Sequence, residues 1–153
     1  MNRQEVENRV RRAIHSVIKH DVHLLEVGAS ERSLTHCLAV RLLRQFPGYS
    51  IDCEYNRDGF DVKRLALSWR AIRDDDVEAV TVFPDIIVHQ RGTNSNNLLV
   101  IEVKKGFSST GHEYDIAKLE AFHRDLGYLH ALHLILGMTG SGKNMLQLRW
   151  VPD

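Results

Sequence analysis

Apolar residues recur at helical spacing near the start of the chain: Val6, Val10, Ile14, Val17 and Ile18. This pattern predicts an amphipathic helix from about Gln4 to Lys19, with Arg9, Arg11, Arg12 and Lys19 on its outer face. A second helix is expected to begin near Ser30, a good N-cap, with Glu31 in its first turn. Leu34, Leu38, Leu42 and Phe46 mark its buried stripe, and Pro47-Gly48 ends it. Tyr49–Tyr55 then reads as a strand and Asn56–Gly59 as a turn. Between 60 and 79, Leu65, Trp69 and Ile72 suggest a short helix, followed by an acidic turn at Asp74–Asp76.

Val80–His89, rich in β-branched residues, reads as a second strand, and residues 91–97 are dense in turn formers. Leu98–Lys104 is apolar on both faces until Glu102, the pattern of a central, covered strand. Asp115–Leu126 is helical, with Ile116, Leu119, Phe122 and Leu126 on one side. Ala131–Gly137 and Met145–Val151 are strands on either side of a turn at Thr139–Lys143. The order α, α, β, (α), β, β, α, β, β predicts an α/β fold with a central mixed sheet of about four to five strands flanked by helices.

The 153 residues favour one domain, with 1–25 as an N-terminal helical extension and 30–138 as the core. A 43% hydrophobic content suffices for one ordinary core. Lys plus Arg balance Asp plus Glu at 20 each, which argues against a protein that coats nucleic acid by bulk positive charge but leaves room for a local basic patch. Met1–His20 lacks the continuous apolar stretch of a signal peptide, and no run of about 18 apolar residues offers a membrane span. A cytoplasmic location is therefore expected. The two cysteines, Cys37 and Cys53, lack the pairing of a zinc site and read as small core residues.

The chemistry concentrates in Phe83-Pro84-Asp85 and Ile101-Glu102-Val103-Lys104. A hairpin folded about Thr93-Asn94 places Asp85 opposite Glu102, where Cβ atoms on one face lie about 4.5–5.5 Å apart. Lys104, two residues on, points to the same face. Opposed carboxylates destabilise a strand pair, and burying them costs more. A hard divalent cation resolves the conflict, because Mg²⁺ takes oxygen ligands and needs only one or two carboxylates.

These residues resemble the PD-(D/E)XK, or restriction-endonuclease-like, nuclease superfamily: Pro84-Asp85, a sixteen-residue spacer, then Glu102-Val103-Lys104. The resemblance implies an α-β-β-β-α-β core, matched from Ser30 to Met138. It also implies Mg²⁺ or Mn²⁺ held by Asp85, Glu102 and the Val103 carbonyl, Lys104 as the catalytic lysine, and Glu31 as a further acidic partner. Glu31 also suits its place more simply, since an acid in a first helical turn complements the helix dipole. The implied activity is phosphodiester hydrolysis in DNA, with RNA as an alternative substrate, in restriction, phage defence or repair. The implied assembly is a homodimer or a partner of a targeting subunit. A catalytically silent module binding nucleic acid or a protein is the competing reading.

Other signals point elsewhere. Gly137–Lys143 has P-loop spacing, but Asn144 stands where Ser or Thr should hold Mg²⁺ and a strand pattern follows where a helix is needed, so a β-turn is expected. Of the nine histidines, only His89 should share a face with Asp85; His36 is turned away from Glu31 by its spacing, and His130 and His133 fall on opposite faces of a strand. Asp52 and Glu54 share a strand face that could reach the site, or serve edge-strand solubility. Lys118, Arg41 and Arg44 are either phosphate contacts or residues of solvated helix faces.

Overall fold

A computed structural model describes residues 1–55, 57–58, 61–62, 64–65, 80–81, 83–106 and 112–152. The chain opens with α1 (Arg3–His20), capped by the Asn2 side chain, which accepts from the Glu5 N–H at 2.9 Å. A short helix that the sequence pattern did not predict, α2 (Val22–Glu26), follows, then α3 (Glu31–Gln45), where Ser30 accepts from the Ser33 N–H as the expected N-cap. The strands in order are β1 (Ser50–Cys53), β2 (Arg57–Asp58), β3 (Asp61–Val62), β4 (Arg64–Leu65), β5 (Val80–Thr81), β6 (Ile86–His89) and β7 (Leu99–Lys105). Helix α4 (His112–Leu126) leads to β8 (His130–Met138) and β9 (Asn144–Val151).

The main sheet has five strands in the order β1-β6-β7-β8-β9. All neighbours are antiparallel except β7 and β8, which run parallel because α4 crosses over between them. The fold is thus α/β with a five-stranded mixed sheet flanked by helices. One face packs against α1 and α3 through Ile86, Val88, Leu99, Ile101, Val103 and Leu134. The other packs Ile87, Val100 and Ala131 against Leu119, Phe122 and Leu126 of α4. β7 is buried from Leu99 to Val103, as its two-sided apolar run predicts.

Several local expectations are corrected. The run Val80–His89 is two strands, because Pro84 has no N–H to offer a ladder. Val80–Thr81 pairs instead with Arg64–Leu65 in a separate two-stranded sheet, which also makes Leu65 a strand residue rather than part of a helix. β1 is shorter than Tyr49–Tyr55, ending before Glu54, whose φ of 50° lies in the left-handed region and breaks the extended path. Arg57–Asp58 pairs with Asp61–Val62, so Arg57 and Asp58 are strand residues rather than part of a turn over 56–59. Trp69, Ile72 and Asp74–Asp76 lie outside the described residues.

Val6, Val10, Ala13, Ile14 and Val17 of α1 are buried in the same apolar cluster as residues of α3 and of the sheet. At the other end of the sheet a close backbone approach matters. A Cβ built on Gly137 of β8 would meet the Gly106 Cα and N at 3.0 Å, and the Gly106 N–H donates to the Leu136 carbonyl at 3.2 Å. The absence of a side chain at Gly137 therefore lets β8 approach the chain where β7 ends. Among the described residues, no helix is long and apolar enough to cross a membrane.

Ile14, 1% exposed, tests the role of α1. Ile14→Ala is expected to cost about 2–5 kcal/mol, read as a lower urea midpoint at unchanged slope. A cost below about 1 kcal/mol would make α1 an appendage.

Candidate functional site

The pairing Ile86 with Ile101, extended by one step, sets Asp85 opposite Glu102. Asp85 Oδ2 accepts from the Val103 N–H at 2.7 Å, and the Asp85 N–H donates to Glu102 Oε1 at 3.4 Å. Glu102 is thus joined to the Asp85 backbone, and Asp85 to the amide of the residue after Glu102, at the mouth of the hairpin. Val103 takes part through its amide, and its side chain is buried on the α1–α3 side. Burial pushes the Asp85 carboxyl up, opposed by the Val103 N–H and by the charge of Lys118.

Glu102 is 2% exposed. Its Oε2 lies 2.7 Å from the Lys118 ammonium, which also donates to the Phe83 carbonyl at 3.1 Å. Burial pushes the Glu102 carboxyl up to about 8, against the pull of Lys118 and with Asp85 adding to the rise. Lys118 is accordingly a buried partner and not a residue of a solvated helix face.

Lys104 shares the Glu102 face and extends to the first turn of α4, where its ammonium lies 3.3 Å from Asp115 Oδ2. It is also 3.6 Å from Glu31 Oε1. Burial works against its charge, but Asp115 and Glu31 outweigh this and hold the ammonium above its ordinary value. Glu31 fixes the start of α3 to the end of β7, because its Oε2 accepts from the Lys105 N–H at 3.1 Å. Glu31, Asp85, Glu102 and Lys104 therefore converge at one corner of the sheet. Glu31 and Asp85 also face a cavity of about 430 Å³, walled further by Arg32, His36, Cys53 and Glu54.

Two residues of this corner had no assigned place in the sequence reading: Asp115 and His133. Asp115 is buried, with His133 Nε2 3.6 Å from Oδ2. Burial raises the Asp115 carboxyl, but His133 and Lys104 outweigh it and hold it below the ordinary range. The available signal was charge on an apolar stripe, since Asp115 and Lys118 fall at helical spacing with Leu119, Phe122 and Leu126. His36 walls the cavity despite its angular offset from Glu31 along α3.

Other candidates are engaged elsewhere. His89 is buried and donates through Nε2 to Asp52 Oδ2 at 2.9 Å, and Arg91 Nε donates to the same oxygen at 2.8 Å. Arg41 donates to Asp21 Oδ2 at 2.6 Å, a structural pairing. Glu54 lies 3.2 Å from the exposed Arg32 guanidinium. Cys37 is half-buried and Cys53 exposed, and both are free thiols. Thr139–Lys143 is the turn between antiparallel β8 and β9, with the Gly142 N–H donating to the Thr139 carbonyl at 2.9 Å, so the phosphate-loop spacing has no helix behind it.

Among the described residues, no three His, Cys, Asp or Glu side chains form a group able to cage a metal ion. Comparison with family models, curated proteins and solved structures finds no match.

Asp52 provides a pH test. Burial raises its carboxyl, but Arg91 and His89 outweigh this and hold it below 3.8. A lowered folded value stabilises the protein above the unfolded value and is lost as pH falls through the folded one. Asp52→Asn should therefore lower Tm at pH 7, and its deficit should shrink as pH drops below 3.8. A deficit unchanged by acid would assign the loss to packing.

Proposed function

We propose that this chain is a metal-dependent nuclease of the PD-(D/E)XK, restriction-endonuclease-like kind, hydrolysing phosphodiester bonds in DNA. The observation that carries this reading is the joint Asp85–Glu102 pair, next to the Lys104 ammonium, at one end of a covered strand. The succession α3, β1, β6, β7, α4, β8 supports it, because it follows the α-β-β-β-α-β order of that core.

The donor set fits a hard divalent cation. Asp85 and Glu102 offer carboxylate oxygens, and Glu102 has drawn a cation to itself in a place where an unpaired carboxylate would be costly. Mg²⁺ uses one or two carboxylates and water for the rest, so a cage of three side chains is not required. Asp85, Glu102 and the Val103 carbonyl would hold Mg²⁺ or Mn²⁺. Such an ion lowers the pKa of bound water and stabilises charge developing on a phosphate.

The protein's own groups do the rest. The Val103 N–H and the Glu102 carboxylate hold Asp85 by its side chain and its backbone. Asp115 and Glu31 hold the Lys104 ammonium in its charged state, where it orients the attacking water or neutralises the transition state. Glu31 borders the cavity that would receive the phosphate backbone. Cutting both strands of a duplex needs two sites, so a homodimer or a targeting subunit fits the function.

Mg²⁺ or Mn²⁺ is expected to raise the Tm of the wild type and leave that of Asp85→Ala unmoved. Circular, linear and single-stranded DNA and RNA, offered in parallel, should be cut by the wild type and about 10²–10⁴-fold more slowly by Lys104→Ala. RNA as the only substrate cut would make it a ribonuclease. Equal cutting by both proteins would place the activity outside this corner, and no cutting of any substrate would favour a binding module.

A further inference from the structure

The chemistry above makes no use of Lys118, although its ammonium is the cation in contact with Glu102. Its side chain is only 10% exposed, and it comes from α4, three residues after Asp115. The ammonium bridges Glu102 Oε2 at 2.7 Å and the Phe83 carbonyl at 3.1 Å, and its charge also acts on Asp85. A positive charge is thus held between a carboxylate of one strand and a carbonyl just before the other, two oxygen donors that also suit a hard cation.

Lysine suits a temporary occupant. Its ammonium is a compact point charge on a flexible four-carbon stem, and it can leave one acceptor without disturbing the helix that carries it. A buried carboxylate left without a counter-charge is costly, so the arrival of one cation favours the departure of the other.

Building on the metal-dependent reading, we propose that Lys118 is a displaceable counter-ion. It neutralises Glu102 in the metal-free protein and leaves that carboxylate as a divalent ion binds, which turns its ammonium toward an anionic substrate. The two states carry different charge at the corner. Without metal, Lys118 keeps the acids together; with metal, it becomes a second ammonium beside Lys104 for a phosphate oxygen. Lys118 is a positioning residue in the first state and a substrate contact in the second.

The test follows the Lys118 side-chain ammonium resonance by NMR in ¹⁵N-labelled, chelator-treated protein during titration with Mg²⁺, together with the backbone amides of Asp85 and Val103. The ammonium signal should shift and lose protection from solvent exchange by about tenfold or more, in step with the amides, a size typical of coupled binding. Matched ionic strength in NaCl should leave it in place, and so should Mg²⁺ added to Asp85→Asn. Amides that respond while the ammonium stays unchanged would show a permanent Lys118–Glu102 pair and overturn the proposal alone. A signal that moves equally in NaCl also overturns it, as general screening. No response of any resonance in the wild type would remove the metal reading and this inference together.

Discussion

A carboxylate on a covered strand has to be neutralised, and the corner where β7 ends is organised by how Glu102 meets that demand. Glu102 follows three apolar residues of a strand packed on both faces and is itself 2% exposed, so water has little access to it. Lys118 supplies the charge from α4, and Asp85 lies alongside through its backbone N–H. One turn earlier on α4, Asp115 does the reverse for Lys104. The two opposite-signed pairs are built from one strand and one helix, at alternate strand positions and adjacent helix turns. Together they tie α4 to β7.

The remaining elements bring the cavity to this corner. α3 contributes Glu31 at its first turn and accepts the Lys105 N–H, so the second helical layer is tied to the same strand end. β1 ends early at Glu54, whose left-handed backbone turns the chain beside Asp85. Cys53, Glu54, Arg32 and His36 complete the cavity wall. Because the wall is shared by two layers, its shape depends on how α1 and α3 pack, not on the hairpin alone.

Much of this arrangement could be read in the residues. The two-residue period of a strand leaves one pairing once the turn is centred at Thr93-Asn94, and that pairing sets Asp85 against Glu102. Ser30 and Pro47-Gly48 bounded α3, and apolar stripes located α1 and α4. Other features were hidden for identifiable reasons. α2 is only five residues long, too short to carry a periodic pattern, and is held by packing of Leu25. Pro84 split a β-branched run that composition alone presents as one strand. Lys118 was open to reading as a charge of a solvated helix face, because the pairing with Glu102 depends on how α4 packs across β7.

The contact between Gly106 and Gly137 bears on how such a corner changes over evolutionary time. A Cβ added at Gly137 would stand 3.0 Å from the Gly106 backbone, so a single methyl group on β8 would press on the chain just beyond Lys104. Charge and donor count would be untouched, yet the distances among the ionic groups would alter together. A lineage could therefore retune or silence this corner through an uncharged, chemically inert position, and its full complement of acids and lysines would still stand in the sequence.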